Sequence, residues 1–170
     1  FGAKLDSANI NPLLRFYDNY ETEVFFMENN DTIRLLKECD AGTKMAVTSI
    51  DDVLDNVKDS KMKELLTKSK DNHEKLGNDI HELLIQYNSE EKEPNVMAKS
   101  MSWIKTNMKL AMDDSDKTIA DLLTDGCNMG IKSLFKYKNQ YPTAEKKVIS
   151  LCENLIEIEQ ELRRDLRAYL

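Results

Sequence analysis

Of the chain's two histidines, His73 is the one that falls squarely on an apolar helical stripe. In a helix bundle such a histidine carries a specific chemical suggestion. Bundle di-metal sites take one Glu from each of two helices and a Glu-x-x-His pair from each of the other two. The histidine three residues after the glutamate reaches the same metal from the same helical face. Here the position three before His73 is Lys70, a cation where a ligand belongs, and His81 follows Asn78 at the edge of its stripe. Near the C-terminus Glu157 is followed by Gln160 and Glu159 by Leu162, so neither pair ends in histidine. What remains is a reduced mononuclear site built from His73, Glu159 and either Glu38 or Asp40, with iron or manganese as its metal. The competing reading makes His73 an interior histidine bonded to a carboxylate on a facing helix. Glu159 is then the first candidate, because positions 155, 159, 162 and 166 share a face; its own alternative is to point to water or pair with Arg163.

Other chemistries have less to stand on. The five glycines are isolated, so no phosphate-cradling loop occurs. Cys39, Cys127 and Cys152 are odd in number, far apart and without a Cys-x-x-Cys pair. They read as reduced core residues of a cytoplasmic protein, and no spacing brings one of them to His73 as a nucleophilic pair. Met97, Met101, Met108 and Met112 step at helical spacing and read as core filler, with Trp103 anchoring their helix over the bundle.

The elements that must position these groups are helices. Hydrophobic residues are 41% and charged residues 32% of the 170, with only five glycines and three prolines, a mixture suited to long helices in one domain. A net charge of −7, without a basic stripe, argues against nucleic acid as a partner. No run approaches the ~18 apolar residues of a membrane span. Apolar residues at steps of three and four mark one helix over 31–57, capped by Asn29, Asn30 or Asp31, and a second over 60–87. The polar stretch 88–95 breaks the pattern; a short helix over 96–112 and a main one over 115–139 follow, the latter ended by Tyr141-Pro142. A last stripe covers 144–170. Gly42 and Ala46 lie near the inward face, where small side chains allow close approach of helices. Residues 1–26 hold six of the aromatics and no clean period, and read as an N-terminal arm or an appended extension, leaving 27–170 as the bundle.

Four segments then suggest a family: Leu35-Leu36-Lys37-Glu38-Cys39-Asp40-Ala41-Gly42, Asp71-Asn72-His73, Trp103-Ile104-Lys105, and Asp125-Gly126-Cys127-Asn128-Met129-Gly130-Ile131. With them the chain resembles a divergent member of the ferritin-like bacterial four-helix bundles of unknown function, distant from the rubrerythrins. The resemblance implies an all-α, up-down-down-up bundle whose long crossover between the second and third core helices contains the short extra helix. Active relatives of that superfamily hold iron or manganese through Glu-x-x-His pairs. This chain departs from them at Lys70, Gln160 and Leu162, and has Ile131 where an acidic residue is expected. The resemblance therefore speaks for the fold and against an enzyme. The expectation is a non-catalytic, cytoplasmic bundle without a cofactor, acting by association with a second copy or a protein partner. A metal-dependent oxidoreductase with a degenerate site at His73, and a carrier of a small apolar ligand, are the alternatives.

Overall fold

Helix ends in this chain are written in its polar residues. The computed structural model describes residues 12–89, 104, 107, 108 and 112–170, without the side chains of 12–20, 25, 26 and 28. Four α-helices, α1 (Pro12–Leu54), α2 (Ser60–Gln86), α3 (Asp116–Gln140) and α4 (Lys146–Asp165), are followed by a short 3-10 turn, Leu166–Tyr169. The described residues contain no strand, and no described helix is long and apolar enough to cross a membrane. Asp59 caps α2 by accepting the Met62 amide at 2.8 Å. Asn88, at φ 50°, turns the chain out of α2, and the Ser89 and Asn88 amides close on the carbonyls of Leu84 and Ile85. Ser115 caps α3 through the Thr118 amide and is itself held by the Asp113 carboxylate.

The first helix starts earlier than the 31–57 stripe predicts. It begins at Pro12, whose fixed φ and missing N–H suit a first helical position, and it runs through residue 27 without a break. Leu13, Tyr17, Tyr20, Val24 and Met27 recur at steps of four and three, a helical spacing obscured by the neighbouring Phe16, Phe25 and Phe26. Asp31, expected to cap this helix, and its neighbour Thr32 instead tie down the start of α4. Asp31 accepts the amide and hydroxyl of Thr143 at 3.1 and 2.6 Å, and Thr32 Oγ1 accepts the Glu145 amide at 2.9 Å.

These ties also show the helix directions. α1 and α2 are antiparallel, with Lys70 paired to Asp51 at 2.6 Å near their loop and Thr43 against Gly77 further along. α3 and α4 are antiparallel, with Lys138 reaching Glu153 at 2.7 Å. α1 and α4 run side by side in one direction, from the Thr32–Glu145 tie to Gly42 beside Leu155. α2 and α3 start together, because the Asp116 carboxylate accepts the amides of Lys58 and Asp59 at 2.8 Å each. The end of α2 and the start of α3 therefore lie at opposite ends of the bundle. The short helix expected over 96–112 lies mostly outside the described residues. Of it, Ile104 and Met108 pack on the core, whereas Met112, expected as core filler, is 93% exposed.

The interior divides into two apolar clusters. One gathers Leu35, Leu36, Ile80, Leu84, Val148 and Leu155. The other gathers Ile50, Val53, Met62, Leu66, Ile119 and Leu166. Between them the stripes turn polar: Asp40 and Thr43 from α1, Ser69 and His73 from α2, and Glu159 from α4 are all buried. Each buried polar group needs a partner, because removing it from water without one costs about 1–3 kcal/mol. This polar waist is where any site must be sought.

Candidate functional site

His73 occupies the waist because α2 buries one residue per turn, in the series Met62, Leu66, Ser69, His73, Leu76 and Ile80. Its exposure is 0%. Nδ1 lies 2.8 Å from the Ser69 carbonyl, one turn back. A carbonyl only accepts, so Nδ1 carries the proton and the ring is oriented by its own helix. Nε2 then faces Glu159 Oε1 across the bundle at 3.4 Å and has no hydrogen-bond partner of good geometry. A bare carboxylate set against the lone pair of a neutral Nε2 would oppose two acceptors. The contact is favourable only with a proton between them.

Glu159 reaches this point because Leu155, Glu159, Leu162 and Leu166 form the buried edge of the last helical segment, as the spacing predicts. Gly130 makes the room. A Cβ there would stand 3.4 Å from Oε1 and 3.5 Å from Cδ of Glu159. Cys127, one turn earlier on α3, bonds to the same carboxylate. Burial first, and the Glu159 charge second, push its thiol far up, so it remains S–H and is no nucleophile at neutral pH. Cys39 is likewise pushed up, first by its hydrogen bond with the Cys152 thiol and then by burial. Arg163, one turn beyond Glu159, donates to Asn128 Oδ1 at 2.9 Å and does not pair with Glu159.

Of the four candidate ligands, His73 and Glu159 are brought together. Asp40 is buried on α1 and held by Lys44 at 2.8 Å. Glu38 lies on the wall of the cleft that Glu159 also borders. Lys70 is paired with Asp51 at 2.6 Å and lies 3.7 Å from Glu74, on the α1 side of the waist. Among the described residues no group of three His, Cys, Asp or Glu side chains is placed to hold a metal ion. The donor set therefore does not fit a ferritin-type centre, which needs several carboxylates converging with two histidines. His81 is exposed on the outside of α2.

The cleft is the feature that periodicity missed. It has a volume of about 480 Å³ and opens between α1 and α3, with Leu155, Glu159 and Leu162 of α4 as its floor. Its walls are small residues: Gly42, Ala46 and Ser49 from α1 face Gly126, Gly130 and Ser133 from α3. Both sets have the same four-then-three spacing, which keeps three small residues on one helical face. Toward α3 Gly42 and Ala46 border the cleft, whereas toward α4 Gly42 allows the close approach expected of it. Gly42 touches the floor, where an added Cβ would meet Leu155 Cδ2 at 3.3 Å, while nothing lies within 4 Å of a Cβ at Gly126. Ile104 also lines it, and among the described lining residues the charged ones are Glu38 and Glu159. The repeated small-residue spacing was the one available sequence signal. Compared with family models, with curated proteins and with solved structures, the chain matches none.

Proposed function

We propose that this protein is a ferritin-like helical bundle that binds a small, largely apolar ligand in the cleft between α1 and α3. The cleft itself carries the reading. Its volume of about 480 Å³ lies within the ~300–1,000 Å³ typical of small-molecule sites, and its lining is apolar with a few polar groups. The up-down-down-up arrangement is supported by the shared starting end of α2 and α3. Three buried free thiols support a reducing, cytoplasmic setting, and the raised Cys127 thiol supports binding over covalent catalysis.

The test uses N-phenyl-1-naphthylamine, a neutral apolar dye that brightens out of water. Wild-type protein is expected to bind it saturably with one-to-one stoichiometry. Gly126→Leu projects into open space in the cleft and is expected to weaken binding about tenfold or more while the helix content is kept. Absence of saturable binding, or equal affinity in Gly126→Leu, would remove this reading. A second reading, association with a second copy or a protein partner, has its own observation. Met129 and Phe135 stand 55% and 43% exposed on α3. Sedimentation of wild type against Phe135→Lys addresses it; a monomer at every concentration would speak against self-association.

A further inference from the structure

We propose that Cys39 and Cys152 form a redox modification site, a thiol pair that hydrogen peroxide converts into a reversible disulfide joining α1 to α4. Register puts the two side chains together. α1 and α4 run in one direction, and parallel helices climb alike at about 1.5 Å per residue, so pairs at one offset stand at one level. Thr32 and Glu145, bonded at 2.9 Å, are 113 positions apart, and Cys39–Cys152 and Gly42–Leu155 keep the same offset. The cysteines therefore lie between two observed contacts, two turns from the first and one turn from the second. Gly42 has no Cβ to hold α4 off, and an added one would meet Leu155 Cδ2 at 3.3 Å. Such close approach suits a disulfide, which needs Cα atoms about 4.4–6.8 Å apart. Both thiols are buried in one apolar cluster, and the Cys39 S–H donates to the Cys152 sulfur.

The two thiols differ in readiness. The hydrogen bond from Cys39 holds the Cys152 thiol below its usual value, with burial opposing and the Lys138 charge assisting. Cys152 is thus the better nucleophile, while Cys39, raised first by the same bond, stays S–H. The Cys152 thiolate attacks one peroxide oxygen and the O–O bond breaks. The sulfur becomes a sulfenic acid, and the other oxygen leaves as hydroxide, which takes up the proton that Cys152 released and becomes water. Cys39 then attacks the sulfenic sulfur; the S–S bond forms, and the sulfenic hydroxyl leaves with the Cys39 proton as a second water. Two thiols are oxidised and one peroxide is reduced. A dithiol reverses the bond by exchange and itself becomes a cyclic disulfide. Both cysteines are 0% exposed, which selects an oxidant close to water in size and shields the pair from bulky reagents. Cys127 stands apart, in the other cluster beside Glu159, and is held as S–H.

The experiment treats the folded, reduced full chain with hydrogen peroxide at neutral pH and maps it by peptide mass spectrometry without reduction. The intact mass is expected to fall by two hydrogens, with one Cys39–Cys152 cross-linked peptide and full reversal by dithiothreitol. Closing so long a loop should also raise the thermal midpoint by about 10 °C. Cys127→Ser should keep the cross-link. Cys39→Ser should stop with added oxygen on Cys152, whereas Cys152→Ser should be oxidised at Cys39 about tenfold more slowly or less. If a variant does not fold, the wild-type map decides alone. Oxidation that leaves Cys39 and Cys152 unlinked in the folded chain, links either of them to Cys127, or joins them only in urea would overturn the proposal.

Discussion

Replacing His73 with leucine is expected to destabilise the bundle by about 2–3 kcal/mol, and the reasoning can be checked step by step. Leucine has nearly the volume of histidine, so at a site of 0% exposure the cavity term is small. The Nδ1 bond to Ser69 is lost, but that carbonyl keeps its own helical amide, so this costs little. The main cost falls on Glu159, which stays buried at 8% exposure with the Cys127 thiol and without the imidazole. Breaking a buried pair from one side costs about 3–5 kcal/mol, and the cleft edge and Cys127 relieve part of it. Glu159→Leu alone should cost less, about 1–2 kcal/mol, because a neutral His73 is cheaper to leave unpartnered than a carboxylate. The double variant should return to within about 1 kcal/mol of wild type, giving a coupling of about 3 kcal/mol. Urea unfolding followed by circular dichroism, with m held constant, measures all four corners of the cycle. Simple additivity of the two single effects would refute the pairing.

Glycine substitutions should divide by the space that each Cβ meets. Gly126→Ala is expected to raise stability by up to about 1 kcal/mol, the helix-propensity gain in open space, whereas Gly77→Ala gains less or loses because its Cβ would lie 3.2 Å from Thr43 Oγ1; thermal midpoints of the two report the order. On the acid side, Asp59 is held below its usual range mainly by the Met62 amide, and Asp113 by the Thr118 hydroxyl and then Ser115. Their depressed values mean that the stability they contribute is complete above the unfolded value of about 4 and is lost as pH falls through the folded ones; urea midpoints of Asp113→Asn should therefore show a flatter acid limb than wild type. On the alkaline side the sign reverses. Cys39 and Cys127 are raised, so their contribution is complete below the unfolded thiol value of about 8.5 and is lost as pH rises above it. Accordingly a thiol reagent should label the three cysteines slowly in the native protein and rapidly in urea; fast labelling of Cys127 without denaturant would contradict its burial.

Much of this was legible in the one-dimensional pattern. α2, α3 and α4 begin and end within a few residues of their stripes, and the boundary signals are local: Asp59 and Ser115 cap the starts of α2 and α3, and Pro142 acts on the backbone where α3 stops. The facing of His73 and Glu159 was also legible, since each occupies a stripe position and two stripes in one bundle must meet. The start of α1 was not. Asn29, Asn30 and Asp31 have N-cap chemistry wherever they occur, and only the position of Thr143 and Glu145 shows that Asp31 and Thr32 serve another helix.

By itself, then, the amino-acid order determined four amphipathic helices, their polar interruptions and the polar residues at mid-stripe, because all of these depend on local backbone chemistry and a period of 3.6 residues. The tertiary structure decided what those residues face. Gly42, Ala46 and Ser49, with Gly126, Gly130 and Ser133, are compatible with helices in close contact or with helices held apart. Bulky layers lie on either side of the waist, and a small side chain cannot report the packing of its neighbours. The same holds for Glu159. Its place on an inward face follows from spacing, but its position between a fixed imidazole and an open cleft follows from three helices meeting at one level.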